Sequence, residues 1–235
     1  MMKLHKTLLL ILILTLVACK NNTKDTVEIN TDQKNNTIEK EKKTSKPRYN
    51  LNTVVLSNEN VVDFLTWYGE LNPETKIEIE TEFGNIEVEL EKKTPLHRAN
   101  FIYLTKKNYF NSTFFHRVVK NFVVQGGNSD ESLTKKDRKR IGNYLIPPEF
   151  ISGLKHDYGA LAAARSWDDN PDKLSNPYEF YFVQNTKGEH HLDGEHTIFG
   201  KITKGFEVLD QIAAQKTDKG EYPLFNIKMK INVIK

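Results

Sequence analysis

Phe115-His116-Arg117-Val118-Val119-Lys120-Asn121-Phe122-Val123-Val124-Gln125-Gly126-Gly127 is the stretch whose reading decides the fold. Two runs rich in β-branched and aromatic residues, Phe114 to Val119 and Phe122 to Gln125, flank the polar step Lys120-Asn121 and close on a glycine pair. The pattern predicts strand, turn, strand. Within it stand an arginine and a glutamine, where a strand otherwise this apolar faces a core. Arg117 therefore either carries its charge out to water along its aliphatic stem or lines a pocket that needs a fixed positive charge.

Working outward, the same period of two recurs. Ile77 and Ile79 alternate with Glu78 and Glu80; beyond Phe83-Gly84-Asn85, Ile86, Val88 and Leu90 alternate with Glu87 and Glu89. This predicts a hairpin with one wet face. Thr94 and Pro95 read as the cap and first position of a helix whose buried side is Leu96, Ala99, Ile102 and Tyr103. Asn128 to Asn143, with its Lys-Lys-Asp-Arg-Lys-Arg run, reads as a polar loop carrying a solvated charged face. Strands follow at Gly159 to Ala164, where small residues let backbone or ligand come close, at Tyr178 to Val183 and at Thr197-Ile198-Phe199. Phe206, Leu209 and Ile212 mark a second helix, and Ile227, Met229, Ile231 and Val233 a last strand. Many short strands with one early and one late helix predict a mainly β protein, a closed barrel with a helix over each end.

Residues 76–235 are thus the expected barrel domain. Residues 50–75 are a helical extension, in which Ser57 reads as the cap of a stripe Val61, Phe64, Leu65 and Tyr68 that Gly69 and Pro73 end.

The beginning of the chain reads differently. Lys3 and Lys6 precede an apolar run from Leu8 to Leu16, short for a spanning helix, and Leu16-Val17-Ala18-Cys19 follows. This predicts a secretory signal over residues 1–18. It resembles a bacterial lipoprotein signal, which implies cleavage before Cys19 and lipid attachment to its thiol. Cys19 is the only cysteine of the 235 residues, so no internal disulfide supports the fold. Residues 19–49 are almost free of apolar side chains after the cysteine and are expected to form a disordered tether. A coil of about 30 residues reaches about 30 Å. Lys20 stands where an aspartate would retain a lipoprotein at the inner membrane of enteric bacteria. The resemblance therefore implies a lipid-anchored protein of the cell envelope, on the periplasmic face of the outer membrane.

Charge excludes one class of partner. The formal net charge of +3 comes from the start of the chain: Lys3, Lys6 and the eight Lys/Arg against five Asp/Glu of residues 20–49. From Asn50 onward, 24 Lys/Arg face 26 Asp/Glu, which does not support a basic groove for nucleic acid.

Five separated segments, in this order, resemble the signatures of the cyclophilin-type peptidyl-prolyl cis-trans isomerases. They are Phe115-His116-Arg117, Phe122 to Gly127, Gly159 to Ala164, Phe180-Tyr181-Phe182-Val183, and Leu192-Asp193-Gly194-Glu195-His196-Thr197-Ile198-Phe199-Gly200. The resemblance implies an eight-stranded antiparallel barrel and an active face at Arg117, Phe122, Val123, Gln125, Ala164, Tyr181, Leu192 and His196. Arg117 would be catalytic and the other seven would bind substrate. It also implies proline-containing polypeptides as partners, no cofactor, and a monomer. Phe180, one place along from Tyr181, would point into the barrel.

The chain departs from the family pattern at four places. Lys120-Asn121 stands where Pro-Gly is frequent, Tyr178-Glu179 where Ser-Gln is common, and Arg165 where Asn is common. His191 stands where the cyclosporin-sensitive members have Trp, which implies weak binding of that inhibitor.

Two other readings bear on the same residues. His190, His191 and His196 with Asp193 and Glu195 are metal-ligating types, but the spacing His191-x-x-x-Glu195-His196 misses the inverted zincin pattern by one residue and no His-Glu-x-x-His occurs. A holdase that grips proline-containing segments with little turnover would use the same groove as an isomerase.

Overall fold

The computed structural model describes residues 48–234. The expected signal and nearly all of the expected tether lie outside the described residues. Arg48 and Tyr49, counted with the tether, instead pack on the fold: Arg48 pairs with Asp63, and the Tyr49 ring lies 5.2 Å from Phe64 and 5.3 Å from Trp67.

In chain order the elements are β1 (Leu56–Ser57), α1 (Val61–Leu71), β2 (Lys76–Thr81), β3 (Gly84–Leu90), α2 (Pro95–Lys106), β4 (Phe114–Val119), β5 (Val123–Asn128), α3 (Ser132–Ile141), β6 (Gly142–Asn143), β7 (Ala160–Ala163), β8 (Phe180–Val183), β9 (Ile198–Lys204), α4 (Phe206–Ala213), β10 (Ile227–Lys228) and β11 (Lys230–Val233). One antiparallel sheet runs β10-β4-β5-β8-β7-β9-β3-β2-β11. Met229 alone separates β10, on β4, from β11, on β2, so the last strand returns the sheet to itself. The result is a barrel of eight strands, thinnest at the two-residue pairing of β10 with β4.

The strands alternate as their sequence predicts. Ile77, Ile79, Ile86 and Val88 are buried in the core, while Glu78 and Glu87 face each other across the wet side. Phe180 is the hub of the interior. Phe101, Phe110, Phe115 and Phe182 meet its ring at 77° to 85° with centroids 5.3–6.2 Å apart. Such edge-to-face contacts add about 0.5–1.5 kcal/mol each to the burial of the rings. α2 packs on β11 and β9, and α4 on β3, β5 and β4.

Helix α2 starts at Pro95 as predicted, but Thr94 makes no side-chain cap. The Glu149 carboxylate takes that place from a distant loop, accepting the N–H groups of Leu96 and His97 at 3.0 Å each. Nor is the helix one-sided: His97 to Thr105 are all buried, because α1 covers the face the barrel does not.

Ser57 does not cap α1 and lies in β1; the helix starts after Asn60 and runs through Gly69 to Leu71. It continues past the glycine because the buried Arg98 guanidinium satisfies its end, donating to the carbonyls of Gly69, Asn72 and Glu74.

The expected polar loop from Asn128 to Asn143 contains a helix, α3. Thr134 and Ile141 are buried, and between them Arg138 lays its guanidinium over Tyr178 and Tyr109, 5.0 and 6.0 Å from the ring centroids. The spacing i, i+4, i+7 makes one buried face, with the remaining lysines in water. Gly142 ends α3 at φ +140°, and a β-carbon there would meet the Leu56 carbonyl oxygen at 2.0 Å. Only glycine allows β6 to run beside β1 and join the N-terminal extension to the barrel.

Candidate active site

The alternation that fills the barrel also builds a surface outside it. On β5, β7 and β8 the inward set is Val124, Leu161, Ala163, Phe180 and Phe182. The outward set forms a second apolar cluster, of Val123, Ala160, Ala162, Ala164, Tyr181, Val183, Leu192 and Ile198, with Phe122 against it. Gln125 and Ala162 both pair with Tyr181 across the strands. The small alanines leave room beside Tyr181, and the loop carrying Leu192 and His196 closes one side. Between them lies a cavity of about 400 Å³ lined by Arg117, Phe122, Val123, Gln125, Ala164, Arg165, Trp167, Tyr181, His191, Leu192 and His196.

All eight residues singled out from the sequence line this one cavity. Arg117 sits at its mouth. A register irregularity between Phe115 and Arg117 lies beside it on β4, and its guanidinium carbon is 5.8 Å from the Phe122 centroid. Its Nε–H donates to Glu221 Oε2 at 2.6 Å. Gln125 Nε2 donates to Glu179 Oε2 at 3.1 Å. Burial opposes the charge of Glu179, but His116, Arg138 and the Gln125 hydrogen bond outweigh it and hold the carboxyl below its usual range.

Phe122 is set by the turn before it. Asn121 takes φ +61°, the left-handed conformation that glycine adopts freely and asparagine tolerates, and Phe122 N–H bonds Val119 O at 3.0 Å. Lys120-Asn121 thus makes the tight turn with a different sequence.

His196 is a neutral wall of the cavity. Its Nδ1 lies 3.0 Å from Ala163 O and its ring meets Tyr181 and Trp167 edge-on, at 5.5 and 5.3 Å. Burial, with the Arg165 charge beside it, pushes the imidazole down to about 4 despite that hydrogen bond. His191 lies nearly parallel to the Phe122 ring, 6.1 Å away, and is largely exposed. His190 lies instead beside Asp157 and Asp193, so the three histidines serve three different sets of partners.

Trp167, His156 and Glu221 escape the sequence reading as parts of the site, and Arg165 stands in it only as a departure from the family pattern. Arg165 bonds the carbonyl and carboxylate of Glu195 and lies 4.1 Å from the Trp167 centroid, so the two segments clamp one edge of the cavity. Buried His156 bonds Tyr181 from behind. Glu221 reaches Arg117 from 104 positions away. Of these four, only Arg165 carried a signal, as an arginine where the family commonly has Asn.

The model of the family described as cyclophilin type peptidyl-prolyl cis-trans isomerase/CLD matches residues 76–233, the whole barrel. The chain belongs to the cyclophilin-type peptidyl-prolyl cis-trans isomerases. As a member it is an enzyme that interconverts the cis and trans forms of peptide bonds preceding proline, with proline-containing peptides as substrates.

Among curated relatives, a peptidyl-prolyl cis-trans isomerase of Acinetobacter baylyi is 36% identical over 141 residues, covering 59% of this chain and 72% of that protein. A peptidyl-prolyl cis-trans isomerase-like 2 of Rhizopus delemar is 36% identical over 165 residues, 69% of this chain. The chain spans only 29% of that longer protein. A crystal structure of a Cryptosporidium parvum cyclophilin type isomerase, determined in the presence of the dipeptide Ala-Pro, superposes with a TM-score of 0.58 at 27% identity. It covers 68% of this chain and 99% of its own.

Proposed function

We propose that this cyclophilin isomerises X-Pro bonds of exported or envelope proteins and assists their folding, with Arg117 as the group that stabilises the twisted imide. An X-Pro bond prefers trans by only about 0.5–1 kcal/mol, yet crossing takes tens to hundreds of seconds because twisting breaks amide resonance. In the twisted state the nitrogen regains a lone pair. A fixed donor aimed at that pair binds the twisted state more strongly than either planar one.

Arginine suits the task because it stays charged and transfers no proton. The observation that carries the proposal is that Arg117, with its terminal nitrogens making no hydrogen bond among the described residues, shares one apolar cavity with Phe122, Tyr181, Leu192 and His196. Those four, with Val123 and Ala164, would hold the proline ring. Gln125, with one N–H given to Glu179, keeps another for the peptide carbonyl.

Turning a step of about 100 s into milliseconds takes about 10⁵-fold, roughly 7 kcal/mol. One preorganised donor supplies about 3–4 kcal/mol. Orientation and exclusion of water supply the rest.

The envelope setting rests on Leu16-Val17-Ala18-Cys19 and the charged, apolar-poor segment after it. Cis-to-trans conversion of a short proline peptide, wild type against Arg117→Ala, tests the chemistry; equal slowness of both would favour the holdase. Membrane fractionation and acyl labelling of wild type against Cys19→Ala test the anchor. Wild-type protein that stays soluble and takes up no label would refute it.

A further inference from the structure

Glu221, outside the cavity lining, is the residue that holds Arg117. Its φ of +66° lies in the left-handed region, which disfavours a residue with a β-carbon. The surrounding loop imposes that conformation. Asp218 Oδ1 accepts the N–H groups of Gly220 and Tyr222 at 2.8 and 3.0 Å, and Asp218 N–H donates to Tyr222 O at 2.9 Å. Glu221 O in turn accepts Val118 N–H at 2.9 Å, from the residue next to Arg117. One strained residue is therefore tied by its backbone to the strand that carries Arg117 and by its carboxylate to Arg117 itself. Backbone strain that persists because the surroundings over-determine it clusters at functional sites.

The atom it takes matters. Glu221 Oε2 occupies Nε–H, the edge of the guanidinium nearest the backbone, and leaves both terminal nitrogens free of partners among the described residues. Both side chains are partly exposed, 35% and 44%, so the pair adds little to stability in water. Its effect is on direction. We infer that Glu221 is a positioning residue, aiming the terminal nitrogens of Arg117 into the cavity where the imide twists. This rests on the role proposed for Arg117.

Glu221→Gly separates positioning from support. Glycine takes φ +66° without strain, so the melting temperature is expected to stay at or above that of wild type. Meanwhile kcat falls about tenfold and KM moves less than about twofold. Glu221→Gln keeps an acceptor for Nε–H and retains kcat within about threefold of wild type. The Arg117 Nε–H proton, followed by NMR, exchanges slowly in wild type and Glu221→Gln and fast in Glu221→Gly. A Glu221→Gly enzyme with wild-type kcat overturns the inference, as does an equal loss in Glu221→Gln or a loss that follows a lowered melting temperature. An Arg117→Ala enzyme of undiminished kcat would instead overturn the role of Arg117, and the positioning with it.

Discussion

Tyr181 Oη lies 2.9 Å from His156 Nε2, and the two rings stack 16° from parallel. His156 is fully buried, and its Nδ1 lies 2.8 Å from Asp193 Oδ1, which also accepts the His156 backbone N–H. A carboxylate only accepts, so Nδ1 carries the proton and Nε2 accepts from the tyrosine hydroxyl. The chain Asp193, His156, Tyr181 therefore ties the loop of Leu192 and His196 to the strand beneath the cavity, and it requires a neutral imidazole.

A pH dependence of stability follows from this. Burial pushes His156 below the ordinary histidine value and His196 from 6.5 to about 4. Groups depressed in the folded state leave stability intact above pH 6.5 and remove it as pH falls toward 4, since the unfolded chain binds the proton first. His196 alone accounts for up to about 3 kcal/mol. Urea midpoints are expected to fall from pH 6.5 to 4, with a shallower fall in His196→Gln. A wild-type midpoint that is flat over this range would contradict the burial of neutral imidazoles.

A backbone test concerns the glycine pair. Gly127 has φ +94°, and a β-carbon there would sit 2.0 Å from the Tyr178 carbonyl oxygen. Its own carbonyl accepts from Tyr109 Oη and Arg138. Gly127→Ala is expected to cost more than about 2 kcal/mol, by strain and by loosening α3 from the barrel. Denaturant unfolding measures it, and a loss under half that value would mean the backbone there can yield.

Inhibitor binding tests the rim. His191 covers Phe122 with a small, exposed ring where the cyclosporin-sensitive members have an indole. Wild type is expected to bind cyclosporin weakly and His191→Trp at least about tenfold more tightly, the indole adding buried aromatic area. Calorimetric titration reads both, and nanomolar binding by wild type would refute the expectation.

Legibility in the sequence followed the range of the interaction. Period-two runs such as Ile77 to Leu90 declared their strands because each side chain's face is set by its neighbours. The site positions Val123, Gln125 and Tyr181 came instead from the resemblance to the cyclophilin-type isomerases, whose motifs lie on the strands that carry them. Helix α3 stayed hidden because its buried face is Thr134, Arg138 and Ile141, of which only one is an apolar side chain. The Glu149 cap and the Glu221 contact were invisible for another reason. A carboxylate meeting a partner 53 or 104 positions away leaves no local pattern. Arg98 shows the same limit: a buried guanidinium capping another helix reads, in sequence, as one more charge on α2.

In the proposed mechanism Arg117 acts on the twisted imide and only weakly on either planar form. Two-dimensional NMR exchange on a short proline peptide, at peptide concentrations spanning saturation, reads the interconversion rate on the enzyme and the affinity separately. Arg117→Ala is expected to slow interconversion by about 10²–10³-fold while the dissociation constant changes by less than about fivefold. An unchanged rate, or a loss confined to affinity, would contradict it.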